Sequence, residues 1–556
     1  RLLLLQAKRK SSSSHGDLPP SPPGVPLVGN LLQLGPFIHK YLAALSRRHG
    51  PLILLRLGRV PTLVVSSPDA ARDVLRTHDH ICASRPATTV TRILLDDCSD
   101  VAFAPYGYEW SPFIHKYLAA LSRRHGPLIF LRLGRVPTLV VSSPDAARDV
   151  LRTHDHICAS RPATTVTRIL LDDCSDVAFA PYGYEWRQRR RICTLHLLSP
   201  KMVQSYALVR EKEVAAMIAA ICSRGSAAEI DMSAVLFAFS NNIMCRVVAG
   251  KKFEGRKGLF SELISENSVL LAKIYLGDYL PWLGWVDWLL GNVARVKKNK
   301  KRWDDLLDQV IKEHAERVSD DEKDFVDVLI SLQKDPVLES ILTPGIIKAL
   351  LQDMFAAGTE TSYTTLEWAM AELVRNPGKM QKLQDQVRSV ASGGGKMVKE
   401  EELCQMPYLN AVVKETFRLH PPLPLLLPRE LLEDCPVQGY NIPKKTRLFV
   451  NAWAIGRDPK CWEEPLEFRP ERFMDGAVDF TGNDLRFTPF GAGRRICPGL
   501  NFAVASLELA LANLVHRFDW GLPAGSSREE FGMEEVAGLV ARREGRLHVV
   551  AKPWNG

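Results

Sequence analysis

The chain carries one long segment twice in tandem. Residues 35–110 and 111–186 align without gaps at an offset of 76 residues, and they differ at two positions, Gly35/Ser111 and Leu54/Phe130. Stacked repeat proteins contain three or more diverged units, so a near-identical pair indicates a recent duplication or an error in sequence assembly. Two such copies compete for one place in a fold. We therefore predict that residues 35–110 are supernumerary and that residues 111–556 form the folded domain.

The second copy is the better candidate for that place. Trp186 is followed directly by the arginine-rich Arg187–Arg191, whereas Trp110 is followed by SPFIHK. Each copy is predicted to contain a helix (Ile38–His49 in the first), two short strands in LILLRLG and PTLVVSS, and a second helix from Pro68. A displaced first copy would expose apolar strand surface and favour aggregation.

The amino-terminal residues read as the end of a membrane anchor and a hinge. Leu2–Leu5 precede the basic residues Lys8–Lys10, as at the cytoplasmic side of a membrane span. We interpret residues 1–17 as an anchor remnant, with an ordinary terminus as the alternative. Residues 18–34 begin LPPSPPGVP, and such proline-rich segments form extended spacers.

Charge and cysteine content restrict the functional class. The net charge of +9 comes from clusters with few aromatic residues, which argues against a nucleic-acid partner and favours an acidic protein or lipid surface. The eleven cysteines form no CxxC pair, as expected in a reducing compartment, and no CxxCH motif attaches haem covalently. From Trp186 onward the pattern is mainly helical, with short strands near Arg447–Val450 and Leu547–Val550. We predict a mainly α fold with a small β part.

One cysteine occupies an unusual loop, FTPFGAGRRICPG. Cys497 precedes the helical pattern of Asn501–Arg517, and the start of a helix favours an anion. Arg494 and Arg495 add positive charge, and Pro498 suits a first helical turn. We therefore predict that this environment lowers the pKa of the thiol toward the thiolate.

The loop is also rich in glycine. Gly491, Gly493 and Gly499 allow tight turns and the close approach of a flat group. A cysteine nucleophile would need a companion histidine, and none is evident from the sequence. An inert buried cysteine fits poorly beside two arginines.

A long helix with a weakened centre is predicted upstream. Thr343 caps Pro344–Arg375, and Asn376-Pro377 ends it. Its centre, AAGTETSYTT, contains Gly358, several threonines and a charged Glu360, all unfavourable inside an apolar helix. Rule-breaking at one point of a good helix indicates function.

The cysteine loop resembles the haem-binding loop of the cytochrome P450 superfamily. It matches FxxGxRxCxG at Phe490, Gly493, Arg495, Cys497 and Gly499. The resemblance implies non-covalent haem b, with Cys497 as the proximal iron ligand and thiolate donation favouring O–O cleavage. It also implies the family fold, in which the haem lies between the long central helix and the helix after the cysteine loop.

Further family motifs occur in the expected order. The resemblance assigns Glu360 and Thr361 to proton relay toward dioxygen, and Trp186, Arg190, Arg429 and Arg495 to the haem propionates. KETFRLHPP and FRPERF supply a structural ion triad, Glu415, Arg418 and Arg472.

The same resemblance suggests where partners bind. Arg187, Arg189 and Arg191 are predicted to be surface charges that face the electron donor. Substrate contacts are expected from Thr164–Phe179, from the long helix near Ala356, from Leu423–Leu427 and from the turn near Val536–Leu539.

The resemblance points to a plant microsomal monooxygenase acting on small apolar or aromatic secondary metabolites. HLLSPKMVQSY and AGKKF are similar to grass enzymes that hydroxylate indole-type benzoxazinoid precursors. It implies NADPH–cytochrome P450 reductase as partner, a monomer, and the cytoplasmic face of the endoplasmic reticulum membrane. The alternatives are a reductase-independent isomerase or dehydratase and a non-functional product of the duplication.

Overall fold

A computed structural model describes the chain in two compact units, Arg1–Ser111 and Pro112–Gly556. In the first unit it describes residues 22, 45–50, 52–57 and 60–67. From residue 114 onward it describes all residues except 226–227, 254–256, 317–323, 337, 340, 392–396, 524, 526, 528–530, 537 and 555–556. The predicted anchor remnant lies outside the described residues, as does the hinge apart from Pro22.

The described part of the first unit contains a β-hairpin. Strands β1 (Leu52–Leu57) and β2 (Val60–Val65) pair antiparallel, with Leu52 opposite Val65. Residues 45–49 are helical, and Ser46 Oγ donates a hydrogen bond of 2.6 Å to Ser66 Oγ. The predicted strand pair of the first copy is thus confirmed, and residues 38–44 of its predicted helix lie outside the description.

The second unit is mainly helical. Its α-helices in chain order are α1 (Ile114–His125), α2 (Pro144–Arg148), α3 (Asp155–Cys158), α4 (Thr165–Leu170), α5 (Tyr184–His196), α6 (Pro200–Ser205), α7 (Ala207–Cys222), α8 (Met232–Ala249), α9 (Lys257–Ala272), α10 (Leu276–Tyr279), α11 (Gly284–Leu289), α12 (Asn292–Ala315), α13 (Phe325–Gln333), α14 (Pro344–Arg375), α15 (Pro377–Val390), α16 (Pro407–Leu419), α17 (Ala452–Ile455) and α18 (Leu500–Arg517). A π-helical turn spans Asp149–Thr153, and 3-10 turns span Pro281–Leu283, Glu400–Gln405, Pro470–Phe473 and Gly493–Arg495.

Small sheets complete the second unit. Its strands are β3 (Leu128–Leu133), β4 (Val136–Val141), β5 (Ala228–Asp231), β6 (Arg429–Glu430), β7 (Cys435–Val437), β8 (Tyr440–Ile442), β9 (Arg447–Val450), β10 (Phe518–Gly521), β11 (Glu535–Val536), β12 (Arg542–Arg543) and β13 (His548–Pro553). They form sheets with the orders β3-β4-β9-β6 and β10-β13-β5, and the hairpins β7-β8 and β11-β12. The mainly α class with a small β part is confirmed.

The repeated sequence forms the same hairpin again in the second unit. β3 and β4 pair in the register of β1 and β2, with Leu128 opposite Val141. Ser122 Oγ donates to Ser142 Oγ at 2.8 Å, as Ser46 does to Ser66 in the first copy. Local sequence therefore determines this hairpin in either position.

The surroundings of the two hairpins differ. β4 pairs in parallel with β9, from Thr138 opposite Arg447 to Val141 opposite Val450. Among the described residues, β2 pairs with β1 alone. Accordingly Val140 is fully buried, whereas its counterpart Val64 is only partly buried.

The core is organised around α14, whose predicted boundaries and cap are confirmed. Thr343 Oγ1 accepts a hydrogen bond from Ile346 N, and most residues from Ile347 to Val374 are buried. Helix α8 crosses α14 at Gly358, where an added Cβ would lie 2.5 Å from Met244 Sδ. Gly358 thus permits close helix packing, which the sequence alone did not indicate. Helix α8 is also the one described helix long and apolar enough to span a membrane, but it is mostly buried in this core.

Candidate active site

The cysteine loop connects a 3-10 turn to α18. Cys497 N donates to Phe490 O at 2.9 Å, and Ile496 N donates to Gly493 O at 3.0 Å. The Phe490 ring lies 5.0 Å from the ring of Phe417. Helix α18 begins at Leu500, so the expectation that Pro498 lies in its first turn is wrong, because Gly499 occupies the capping position.

The thiol of Cys497 lies deep in the protein and is nevertheless accessible. Its side chain is exposed, yet burial raises its pKa, against a Gly499 N–H hydrogen bond and the Arg190 charge that lower it. An accessible group that is surrounded by protein lines an internal space. The prediction that the local charges lower this pKa is wrong for the protein alone, because desolvation of the thiolate outweighs them.

Gly493 serves the loop's packing. Its φ is +69°, and an added Cβ would lie 2.3 Å from Leu151 O and 2.7 Å from the Asp155 carboxylate. At Gly491, with a φ of +71°, the nearest such atom is 3.9 Å away. The missing side chain at Gly493 therefore makes room for protein atoms. At this glycine, the close approach is made by the π-helical turn that contains Leu151 and by Asp155 of α3, and not by a flat ligand.

Arginine side chains cluster against this loop, as the motifs predicted. The guanidinium of Arg495 lies 4.0 Å from the ring centroid of Trp186 on α5, and that of Arg190 lies 5.5 Å from it. Arg190 donates to Ile496 O, the carbonyl before Cys497, at 2.6 Å. Arg429 on β6 donates to Ala492 O at 2.9 Å. The structure thus brings all four predicted propionate partners to the cysteine loop.

A fifth member of this cluster was missed from the sequence. Arg161 is buried and donates to Ala178 O at 3.0 Å and to Leu427 O at 2.7 Å. It thereby links two segments that were expected to contact substrate. Its position in ICASRPA gave no periodic or motif signal of this role.

The four arginines of this cluster outnumber the two carboxylates that act on Arg495, which are those of Asp176 and Asp155. Burial, with the nearby Arg429, lowers the pKa of Arg495 to about 9. Burial also lowers the pKa of Arg161, Arg190 and Arg429. Such a buried excess of cations suits an anionic ligand.

Asp155 on α3 anchors the cluster and was also missed. Its Oδ1 accepts from Arg429 Nη1 at 2.9 Å, and its Oδ2 accepts from Arg494 N at 2.8 Å. It is 4% exposed, so these bonds stabilise a buried carboxylate. One acid in the repeated segment therefore fixes both β6 and the cysteine loop.

The predicted centre of α14 borders accessible space. Ala357 is exposed, although the residues of α14 around it are largely buried. Thr361 Oγ1 donates to Ala357 O at 2.7 Å, and Thr365 Oγ1 donates to Thr361 O at 2.8 Å. The threonine hydroxyls thus bond back to their own helix, as expected for threonine in a helix interior.

Glu360 has different partners from Thr361. It is buried, and its Oε1 lies 3.7 Å from Arg542 Nε on β12. Burial raises its pKa to about 7, although Arg542 and a hydrogen bond from Ser268 lower it. A carboxyl group with such a pKa can gain or lose a proton near neutrality.

A second acid on α14, Asp353, holds the loop that leads to α5. Its Oδ2 accepts from Val177 N at 2.8 Å and from Ala178 N at 3.3 Å. Asp353 precedes Ala357 by four residues, so both belong to one helix face. Burial raises the pKa of Asp353, and nearby Asp176 raises it further.

The loop held by Asp353 begins with strained backbone. Asp172, Asp173 and Cys174 have φ values of 46°, 55° and 62°, which non-glycine residues rarely adopt. The Asp172 carboxylate pairs with Lys300 on α12 at 3.0 Å. No sequence motif indicated this left-handed turn.

The structure brings the predicted ion triad together. Arg418 Nε donates to Glu415 Oε2 at 2.7 Å, and Arg472 Nε donates to Glu415 Oε1 at 3.0 Å. Glu415 and Arg418 are fully buried side chains. The triad ties α16 to the 3-10 turn that contains Arg472.

One predicted surface charge is not on the surface. Arg189 is 6% exposed, and its Nη2 donates to Glu185 Oε2 at 2.7 Å. The prediction that Arg189 faces an electron donor is therefore wrong, because its position on α5 points into the protein.

A family model described as cytochrome P450 matches residues 19–113 and, separately, residues 108–548. The chain belongs to the cytochrome P450 family. Among curated P450 relatives, cytochrome P450 71A1 of Persea americana is 48% identical over 450 residues, covering 79% of this chain and 89% of the relative. An indole-2-monooxygenase of Zea mays is 48% identical over 448 residues, covering 78% of this chain and 82% of the relative.

Solved P450 structures share the fold. A zebrafish cytochrome P450 determined with abiraterone has a TM-score of 0.68 and 27% identity, covering 80% of this chain and 99% of that one. The protein is thus a plant P450, an oxidoreductase that incorporates oxygen and uses haem b.

The residues present fit this cofactor. An accessible thiol deep in the protein can ligate iron. A buried excess of arginine charge suits two propionates. The exposed Ala357 on α14 leaves space at the centre of an otherwise buried helix.

Proposed function

We propose that this P450 inserts one oxygen atom into a small apolar or aromatic secondary metabolite, with electrons from NADPH delivered by cytochrome P450 reductase. The observation that carries the proposal is the Cys497 thiol, which is accessible inside the protein and borders a cationic cluster. Haem supplies the oxygen chemistry when bound, and the protein supplies ligation, orientation and protons.

The chain's own residues would hold the cofactor. Cys497 would ligate the iron, and Arg190, Arg429 and Arg495 would bind the propionates, with Trp186 beside them. Arg495 already donates to Ala159 O and Ala180 O, and Arg429 to Asp155. Within the part of the chain that the structure describes, the Arg190 guanidinium donates one hydrogen bond, to Ile496 O, and it is therefore the guanidinium most available to a carboxylate.

Glu360 and Thr361 would deliver protons during oxygen activation. Glu360 titrates near neutrality, and Thr361 presents a hydroxyl beside the accessible Ala357. A buried carboxyl and a hydroxyl next to each other in sequence can pass a proton to a site from which bulk water is excluded.

Several observations support a small aromatic substrate. The Zea mays relative is named for indole, and a Prunus mume relative, 44% identical over 457 residues, is named a phenylacetaldehyde oxime monooxygenase. The segments expected to contact substrate contribute apolar side chains, including Phe179, Ala356, Leu427 and Leu539. An apolar pocket would bind an indole-type ring through its faces.

An aromatic patch supports binding to a membrane surface, which we propose to be the cytoplasmic face of the endoplasmic reticulum. Trp282, Trp285 and Trp288 are 53%, 60% and 70% exposed, and Leu289 and Leu290 beside them are also exposed. Tryptophan and leucine side chains of this kind partition into the lipid interface. Binding to phosphatidylcholine vesicles should weaken in a Trp285→Ala/Trp288→Ala variant. The control Leu466→Ala, at an exposed leucine that is not part of this patch, should bind as the parent does.

We further propose that residues 35–110 are supernumerary to the catalytic domain. The pairing of β4 with β9 and the Asp155 bonds use the second copy. The family model also matches the first copy separately.

The decisive test is the carbon-monoxide difference spectrum of the reduced protein, followed by turnover with reductase and NADPH on indole and on an aryl oxime. We expect a thiolate-type spectrum that Cys497→Ser abolishes. An unchanged spectrum in Cys497→Ser would refute the assignment of Cys497 as the iron ligand. Turnover of an organic hydroperoxide without NADPH would instead favour an isomerase or dehydratase.

A further inference from the structure

The carboxyl-terminal hairpin β11–β12 reaches the acid at the centre of α14. Arg542 Nε lies 3.7 Å from Glu360 Oε1. Neither atom has a hydrogen-bond partner within the described residues. A buried carboxylate oxygen and a guanidinium nitrogen at this distance form an ion pair that a small side-chain movement would close to a hydrogen bond.

Other contacts hold Arg542 in place. Its Nη1 donates to Ser265 Oγ on α9 at 3.3 Å, and it shares a hydrogen bond with Tyr363. Trp368 Nε1 donates to the carbonyl of the preceding Ala541 at 3.0 Å. The guanidinium is therefore fixed beside Glu360 from two helices.

Ser268 on α9 connects the same groups from another side. Its backbone oxygen accepts from Leu539 N at 3.1 Å, and its Oγ accepts from Val540 N at 3.3 Å. Its hydroxyl also hydrogen-bonds to Glu360. The terminal hairpin, α9 and α14 thus meet at one carboxyl group.

The charges around Glu360 are few. On α14 itself, Tyr363 and Glu367 face the hairpin, and Glu367 is bonded by Ser233 of α8. Arg543, next to Arg542, acts on Glu367. Arg542 is the cation that acts directly on Glu360 among the described residues, where it opposes the effect of burial on the pKa.

We propose that Arg542 is a positioning residue that holds the Glu360 carboxyl group and keeps it ionisable, so that this acid can be reloaded with a proton during turnover. The inference rests on the proton-delivery role proposed for Glu360. It adds a residue from the carboxyl-terminal hairpin, which none of the sequence motifs indicated.

The charge state of Glu360 can be measured directly. The infrared carbonyl band of a protonated carboxyl group that disappears in Glu360→Gln reports this residue. The pH at which half of this band has disappeared should rise by about one unit in Arg542→Gln, because the positive charge that stabilises the ionised carboxylate is lost. Arg542→Lys should return most of the shift, and the matched neighbour Arg543→Gln should leave the midpoint unchanged.

Coupling of electrons to product provides a second measurement. In Arg542→Gln, a larger share of NADPH should end as hydrogen peroxide, about tenfold relative to product. The pH midpoint of product formation should rise together with the infrared midpoint, because both report the same carboxyl group. Arg542→Gln should add little to Glu360→Gln in the double variant, since both act through one carboxyl group. Arg543→Gln should retain the parent ratio.

The outcomes separate the two proposals. An unchanged infrared midpoint in Arg542→Gln, in a protein that keeps its carbon-monoxide spectrum, would overturn the role of Arg542. Additive effects in the double variant would overturn it as well. A parent protein that shows no thiolate-type carbon-monoxide spectrum would refute the proposed function. The infrared measurement of the Glu360 charge state would still be valid in that case.

Discussion

Leu63 and Leu139 occupy the same position in two identical strand sequences, but Leu63 is 45% exposed and Leu139 is 1% exposed. Both lie in hairpins of identical register. The pairing of β4 with β9 accompanies the difference. Burial here is a property of the position in the fold, since the sequence is the same.

This pair gives a matched test of burial. Leu139→Ala should lower the free energy of unfolding by about 3 kcal/mol, as for other buried leucines. Leu63→Ala should change it by about 0.5 kcal/mol or less. Urea unfolding followed by circular dichroism measures both. Equal losses would show that the first copy is packed as well as the second.

Deletion of residues 35–110 should increase the solubility of the protein. The half-buried Val64 and Val65 and the exposed Leu63 form apolar strand surface in the first unit, which promotes association. We expect a larger soluble fraction and at least the same haem content per chain. Sedimentation and the haem-to-protein ratio measure these quantities. A deletion variant that loses haem would show that the first copy contributes to the fold.

The ion triad should be sensitive to loss of its acid. Glu415→Gln leaves the fully buried Arg418 without a counter-charge, which should cost about 3–5 kcal/mol of unfolding free energy. The control Glu463→Gln removes the partner of Arg469 at a carboxylate that is 80% exposed and should cost about 0–1 kcal/mol. A loss confined to haem affinity, with unaltered unfolding, would contradict a structural role.

Gly493 and Gly491 provide another matched pair. Alanine at either position has a left-handed φ and should cost about 1 kcal/mol. In Gly493→Ala the Cβ also collides with Leu151 O and the Asp155 carboxylate. We expect it to cost at least about 2 kcal/mol more than Gly491→Ala, and to reduce haem retention. Similar melting temperatures for the two variants would refute this packing role.

Acid stability should depend on Glu535. Burial raises its pKa, but hydrogen bonds from His115 and Lys116 of α1 outweigh it and lower the pKa to about 2. This carboxylate therefore stabilises the fold above about pH 4.5, and the contribution of about 3 kcal/mol is lost as pH falls toward 2. Glu535→Gln should flatten unfolding free energy over that window, whereas Glu534→Gln at the exposed neighbour should not.

Motifs with fixed spacing predicted the local elements well. Thr343, Pro344 and Asn376 specified the ends of α14, and the alternating residues of the repeat specified its hairpin. These features depend on short-range capping and side-chain periodicity. They are therefore readable from neighbouring residues.

Long-range roles were not readable in this way. Asp155, Arg161 and Asp353 act on backbone atoms far away in sequence, and each sits in an ordinary-looking stretch. The pKa of Cys497 was misjudged because its helix and charges are local, whereas burial depends on the whole fold. Arg189 was misplaced because a run of arginines does not reveal which one points inward.

Helix α5 starts at Tyr184, inside the second copy, and continues to His196 in unique sequence. Loss of either copy by unequal crossing-over would join the same GYEW to RQRRR and preserve this helix. The two products would differ only at the Gly35/Ser111 and Leu54/Phe130 positions, and Phe130 is 51% exposed. A gene of this form can thus revert to single length through either recombination event and encode nearly the same enzyme.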